Sequence, residues 1–172
     1  MTERDTHPSS THPPRPPTSE DDQFNRLRLL RSRRVGISTF KRLLIAHGTA
    51  QNALAALPEV ARAAGVSKYE VCPEAVVIAE LKAARRAGAT LVAQGTAAYP
   101  DALDALTDAP PFLWALGDIT LLQKPAIAMV GARNASSLGT RMARALARQL
   151  GEAGYVVTSG LARGIDAAAH LA

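Results

Sequence analysis

Apolar side chains fall into two regimes along this chain. Between residues 24 and 86 they recur every three or four positions, the period of a helix with one buried face. Beyond residue 88 they run consecutively in short blocks, as strands buried on both faces do. In "FNRLRLLRSRR", Phe24, Leu27 and Leu30 share a face and arginines occupy the rest. "GISTFKRLLIAHG" follows, with Ser38 or Thr39 as an N-cap and Gly48 as the stop. "TAQNALAALPEVARAAG" reads as two short helices parted by Pro58 and stopped at Gly65, and a further helix over 73–87 ends in "AARRAG". These elements predict a bundle of short helices whose core is Phe24, Leu27, Phe40, Leu43, Leu44, Leu54 and Leu57.

Near residue 88 the pattern changes to "ATLVAQG", a strand, then "YPDALDAL", a helix started by Pro100, then "PFLWALG", a second strand. Tyr99 and Trp114 belong to the core in this reading. Next come an apolar strand over 126–130, a helix over 137–153 with Leu146 and Leu150 turned inward, and a strand over 155–158. A last helix opens at "IDAAAHLA". Apolar strands separated by a helix of about 15 residues indicate a parallel sheet with a right-handed crossover. Two such strands cannot cover the faces of a sheet, so the chain is expected to be the first part of a longer protein.

Residues 1–22 are rich in Pro, Ser, Thr and charge and are expected to be a disordered leader. The expected organisation is that leader, a helical domain over 23–87 and an incomplete α/β domain over 88–172.

Charge changes the picture in one place. The chain carries a formal +5, yet residues 24–86 alone hold twelve basic and four acidic side chains. Such a surplus suits a polyanionic partner. Only seven residues are aromatic, which argues against a sheet that stacks bases on aromatic rings. The single cysteine, Cys72, forms no internal disulfide and marks no zinc site. No secretory h-region and no membrane-length apolar run is present, so a cytoplasmic location is expected. The turn "VGIST" has one glycine of a helix–hairpin–helix loop, with Ser38 where a second normally stands.

Candidate chemistry lies on the two βα turns, because ligands of open α/β sheets sit beyond the carboxyl ends of strands. "GARNASS" follows the first parallel strand and "SGLARGID" the second. Gly131, Gly160 and Gly164 allow close backbone approach and positive φ. Ser136 or Ser137 caps the next helix, whose free N–H groups face a ligand. Each turn adds one arginine, Arg133 or Arg163, a charged fork suited to phosphate oxygens. The turns are expected to lie side by side.

Other chemistries lack their residues. Neither G-x-G-x-x-G nor G-x-x-x-x-G-K-[ST] occurs, and no acid stands where a dinucleotide ribose would need one. Asp166 and His170 share a helix face at i, i+4, either as a base and its orienter or as a local helix pair. No serine has a triad partner in view. The expected chemistry is phosphate binding without bond breaking, with no metal, no cofactor and no catalytic residue.

"YPDALDALTDAPPFLWALGD", "AIAMVGARNASSLG" and "YVVTSGLARGIDAAAH", in this order, closely resemble the DprA/Smf family of DNA-processing proteins. The upstream helices resemble the SAM-like domain that precedes that family's Rossmann-like domain. The resemblance covers residues 24–172 and implies a cytoplasmic, non-enzymatic protein that binds single-stranded DNA. It further implies a role in natural transformation and recombination: protecting incoming DNA, helping to load RecA, and pairing as a homodimer in the full-length protein. The family's G-[SA]-R-x-x-S turn maps onto Gly131, Ala132, Arg133 and Ser136, and its S-G-x-A-[RK]-G-I-D turn onto Ser159, Gly160, Ala162, Arg163, Gly164, Ile165 and Asp166. Many members carry Ser where Ala132 stands. Two other readings stay open: a nucleotide-processing enzyme of the phosphoribohydrolase type, and a duplex-binding module formed by residues 24–86.

Overall fold

The computed structural model describes residues 19–172, which form two compact units, one through Ile119 and one from Thr120 onward. Most of the expected leader lies outside the described residues.

The first unit begins with four helices: α1 (Glu20–Arg31), α2 (Ile37–His47), α3 (Ala50–Ala63) and α4 (Glu74–Ala87). Helix α1 starts inside the expected leader, because Ser19 Oγ accepts the Asp22 N–H and three acids, Glu20, Asp21 and Asp22, occupy its first turn. That arrangement satisfies an orphan donor and complements the positive helix end. Two faces of α1 are buried rather than one. Leu29 joins Phe40, Leu43, Leu44, Leu54 and Leu57 in one cluster, while Leu27 packs with Cys72 and Val77 in another. Phe24 and Leu30 are only partly buried.

Two local expectations need correction. Ser38 and Thr39 do not cap α2; Gly36 precedes it without a side-chain cap, and both residues fall within its first turn. Pro58 does not break the third segment, since α3 runs through it. The missing proline N–H costs about 3 kcal/mol, but Ala53, Leu54, Leu57 and Ala61 are buried on both sides of it. Full burial of Leu54 and Leu57 returns about 1.5–3 kcal/mol each, enough to hold one helix.

Strands β1 (Thr90–Ala93) and β2 (Phe112–Ala115) pair antiparallel, Leu91 opposite Trp114 and Val92 opposite Leu113. Leu91, Phe112 and Trp114 pack onto the Leu27–Cys72–Val77 cluster, so this hairpin completes the helical core. A one-turn helix α5 (Asp101–Asp104) lies between the two strands and follows Pro100, as expected. Tyr99 is buried, with its hydroxyl donating to the Pro110 carbonyl. Trp114 Nε1 donates to Glu80 Oε1 at 2.8 Å, and Arg31 donates to both oxygens of the same carboxylate at 2.9 and 2.7 Å. Those contacts hold Glu80 below the ordinary carboxylate range, chiefly through the Arg31 hydrogen bond. Burial raises the Cys72 thiol above its ordinary value.

Several charges of the basic segment are therefore internal ties. Arg26 pairs with Asp22, Arg28 with Glu74, Arg31 with Glu80 and Arg62 with Glu59. Arg33 lies over the Tyr69 ring at 6.0 Å.

A 3₁₀ turn (Ile119–Gln123) leads into the second unit. Strands β3 (Ala126–Ala128) and β4 (Val156–Thr158) pair parallel, Ala126 opposite Val156 and Ala128 opposite Thr158. Helix α6 (Ser137–Glu152) connects them, and α7 (Ile165–His170) follows β4. Helix α6 contacts both β4 and α7. The buried apolar side chains here are Ala143, Ala147, Ala168 and Ala169. Small residues let the two helices approach closely. Leu146, expected inside, is instead 49% exposed, and only Leu150 of that pair is half-buried. The α6 stripe turned inward is set by Ala143 and Ala147, which leaves Leu146 on an adjoining face.

Candidate nucleic-acid interface

Parallel pairing puts the carboxyl ends of β3 and β4 on one sheet edge, and both arginine-bearing turns leave from there. The first spans residues 129–136 and the second 159–164, and they are interlocked rather than merely near. Ile165 N–H donates to the Ala132 carbonyl at 3.2 Å. Gly164 lies against the first turn so closely that a Cβ there would meet the Ala132 carbonyl oxygen and come within 2.6 Å of the Arg133 carbonyl oxygen. A Cβ on Gly131 would in turn stand 2.6–2.9 Å from three side-chain atoms of Ile165.

Of the three turn glycines Gly131, Gly160 and Gly164, only Gly164, with φ 92° and ψ −125°, needs a conformation that residues with a Cβ avoid. Gly131 and Gly160 do not have the expected positive φ. Gly131 is small because Ile165 occupies its side-chain space. Gly160 has room, since a Cβ there would sit 3.5 Å from Asp166 Oδ2, an ordinary contact. The left-handed position in the second turn belongs to Leu161, at φ 54°, with its N–H held by Ser159 Oγ at 3.2 Å.

Of the two candidate caps, Ser136 performs the role: its Oγ accepts the Gly139 N–H at 3.1 Å. Among the described residues, the amides of Arg133, Asn134, Ala135, Ser137 and Leu138 find no acceptor. Helices α1 and α4 carry acids in their first turns, whereas α6, like α2 and α3, carries none. The α6 N-terminus thus keeps its positive partial charge and several donors for an external anion. Arg133 and Arg163 are exposed, and neither guanidinium has a partner among the described residues.

Ser159 makes a contact that sequence spacing did not reveal. Its Oγ lies 2.8 Å from His170 Nε2, tying the β4 exit to the last turn of α7. Eleven residues separate the two, and only the fold back of α7 brings them together. Asp166 is buried beside Gly160, and no hydrogen bond joins it to His170 among the described residues. The i, i+4 spacing therefore forms neither a relay nor an ion pair. No group of three metal-ligating side chains occurs among the described residues, and no helix there is long and apolar enough to cross a membrane.

Residues 20–83 match the family model of the DprA-like N-terminal HHH domain, and residues 90–172 that of DNA recombination-mediator protein A. The DNA processing protein DprA of Bacillus subtilis is 38% identical over 93 residues, 54% of this chain and 31% of its own length. Protein Smf of Escherichia coli is 43% identical over 74 residues, 43% of this chain and 20% of its own length. The solved structure of DNA processing protein A from Streptococcus pneumoniae superposes with a TM-score of 0.58 at 26% identity, covering 86% of this chain and 52% of that one. The matched stretches thus span a third or less of the curated relatives. The interlocked turns, the helical region before them and both family matches agree: this chain belongs to the DprA/Smf family of DNA-processing proteins.

Proposed function

We propose that the paired turns grip the sugar–phosphate backbone of single-stranded DNA and break no bond. The observation that carries this reading is the interlock. Ile165 N–H bonded to the Ala132 carbonyl, and Gly164 seated on the backbone of Ala132 and Arg133, place two unpaired arginines on adjoining loops. Arg133 and Arg163 bind phosphate oxygens; Gly131, Ala132 and the residues up to Ser136 offer backbone donors at the start of α6; Ser159 and Gly164 shape the second loop, to which Gly160 contributes its backbone alone. Ser159 and His170 touch, but without Asp166 behind the imidazole this pair lacks the third group of a nucleophilic relay, which favours binding over hydrolysis.

In the cell this activity serves recombination of DNA taken up by natural transformation, with the strand protected, passed to RecA and held by a pair of copies of the protein. The family membership supports those finer roles as part of the same proposal. The test is a titration of the full chain with a fluorescent 20-nucleotide oligo-dT across a salt series. Converting Arg133 and Arg163 together to Gln lowers the slope of log K against log salt by about 1.4, at about 0.7 per phosphate contact on single strands. A double variant with the parent's slope and affinity overturns the reading.

A further inference from the structure

The remaining arginines of the second unit are not scattered. Arg141, Arg144 and Arg148 stand at i, i+3 and i+7 of α6, on one exposed face that flanks the buried Ala143–Ala147 stripe. All three are exposed, and among the described residues none has an ion pair or a hydrogen-bonded side-chain partner. Glu152, one turn beyond Arg148 on the same face, makes no ion pair with it. The unit holds six Lys or Arg side chains against two acids, Glu152 and the buried Asp166.

The helix dipole does not account for the row. Cations favour the helix dipole when they sit in the last turn, as Arg28 and Arg31 of α1 and Arg85 and Arg86 of α4 do. Helix α6 has no basic residue in its last turn and carries these three through its middle. At about 1.5 Å per residue the row extends roughly 10 Å along the axis, beginning about one turn from the amides at the α6 N-terminus. Three unneutralised guanidinium groups at that spacing suit consecutive phosphates of one strand.

We propose that Arg141, Arg144 and Arg148 form a second phosphate-contacting surface, so that single-stranded DNA leaving the loop corner runs along the outer face of α6. The strand's starting point rests on the function proposed for the loops; the charge row stands on its own observations.

The test compares the full chain with two variants, R141Q/R144Q/R148Q and R133Q/R163Q, using fluorescent oligo-dT of about 6 and about 20 nucleotides over a salt series. Gln has nearly the helix propensity of Arg at these exposed sites, and circular dichroism verifies retained helicity. The triple variant is expected to keep the short oligomer's affinity within about twofold. It is expected to lose most of the gain that the parent shows on lengthening, with a salt slope lower by about 2 on the long oligomer. A helical triple variant with the parent's length dependence and slope overturns the row while leaving the loop reading intact. If R133Q/R163Q binds like the parent and only the triple variant weakens, the row stands and the loop corner falls. A parent chain that binds neither oligomer overturns both.

Discussion

Replacing Gly164 by Ala adds one methyl group at the point where the two turns meet. Two costs arise together. The backbone there, φ 92° and ψ −125°, is one that residues with a Cβ avoid, at about 1–3 kcal/mol. The new Cβ also overlaps the Ala132 carbonyl oxygen and stands 2.6 Å from the Arg133 oxygen and 2.8 Å from its carbonyl carbon. Neither is the end of a flexible side chain, so the loops must part by several tenths of an ångström, an overpacking cost of about 1–3 kcal/mol. Together these give about 2–6 kcal/mol against the interlocked arrangement. Even the lower figure, at about 1.4 kcal/mol per decade, weakens DNA binding about 30-fold. Gly160→Ala is the control, three residues before Arg163 on the same loop. Its Cβ makes an ordinary 3.5 Å contact and its φ is outside the left-handed region, so binding stays within about twofold. The assay is fluorescence anisotropy with an oligo-dT 20-mer, with thermal unfolding of each variant alongside. A Gly164→Ala protein that binds and melts like the parent refutes the idea that loop contact organises the site.

Removing the Ser136 cap with Ala frees the Gly139 N–H and destabilises the second unit by about 1 kcal/mol, read as a lower urea midpoint. Glu80→Gln deletes the charge that Arg31 and Trp114 hold in place and lowers stability at pH 7 by about 1–2 kcal/mol after allowance for partial exposure. Because the folded-state pKa of Glu80 is depressed, its contribution is complete above the ordinary carboxylate pKa and fades as pH falls through the folded value. The parent–variant difference in urea midpoint should therefore shrink below about pH 4; a difference that grows on acidification contradicts the assignment.

What was legible in the sequence follows from period and residue chemistry. The helical repeat located α1 to α4 and five of the buried leucines, because each of those helices packs an apolar stripe. The consecutive apolar runs marked β3 and β4, and the small, arginine-bearing turns after them marked the two loops that the fold interlocks. Failures came where tertiary packing overrode a local rule. Pro58 stays helical because leucines and alanines on both sides pin α3. Leu29 is buried because α1 is covered on a second side, which a one-face template cannot show. Leu146 faces outward because α6 meets α7 through alanines. The reasons behind the glycines were only partly visible. A need for positive φ holds at Gly164, whereas Gly131 is small to admit Ile165, a partner 34 residues away. The Ser159–His170 bond depends on how α7 returns to the β4 exit, and no spacing rule encodes it.

On this reading both turns act as one anion-binding corner. Amide chemical shifts of the full chain, followed by NMR during titration with oligo-dT, test it most directly. Residues 131–138 and 159–166 are expected to shift together along one binding curve, with Arg133 and Arg163 Nε–H signals moving in step. Shifts confined to one turn, or two turns saturating at clearly different DNA concentrations, would contradict it.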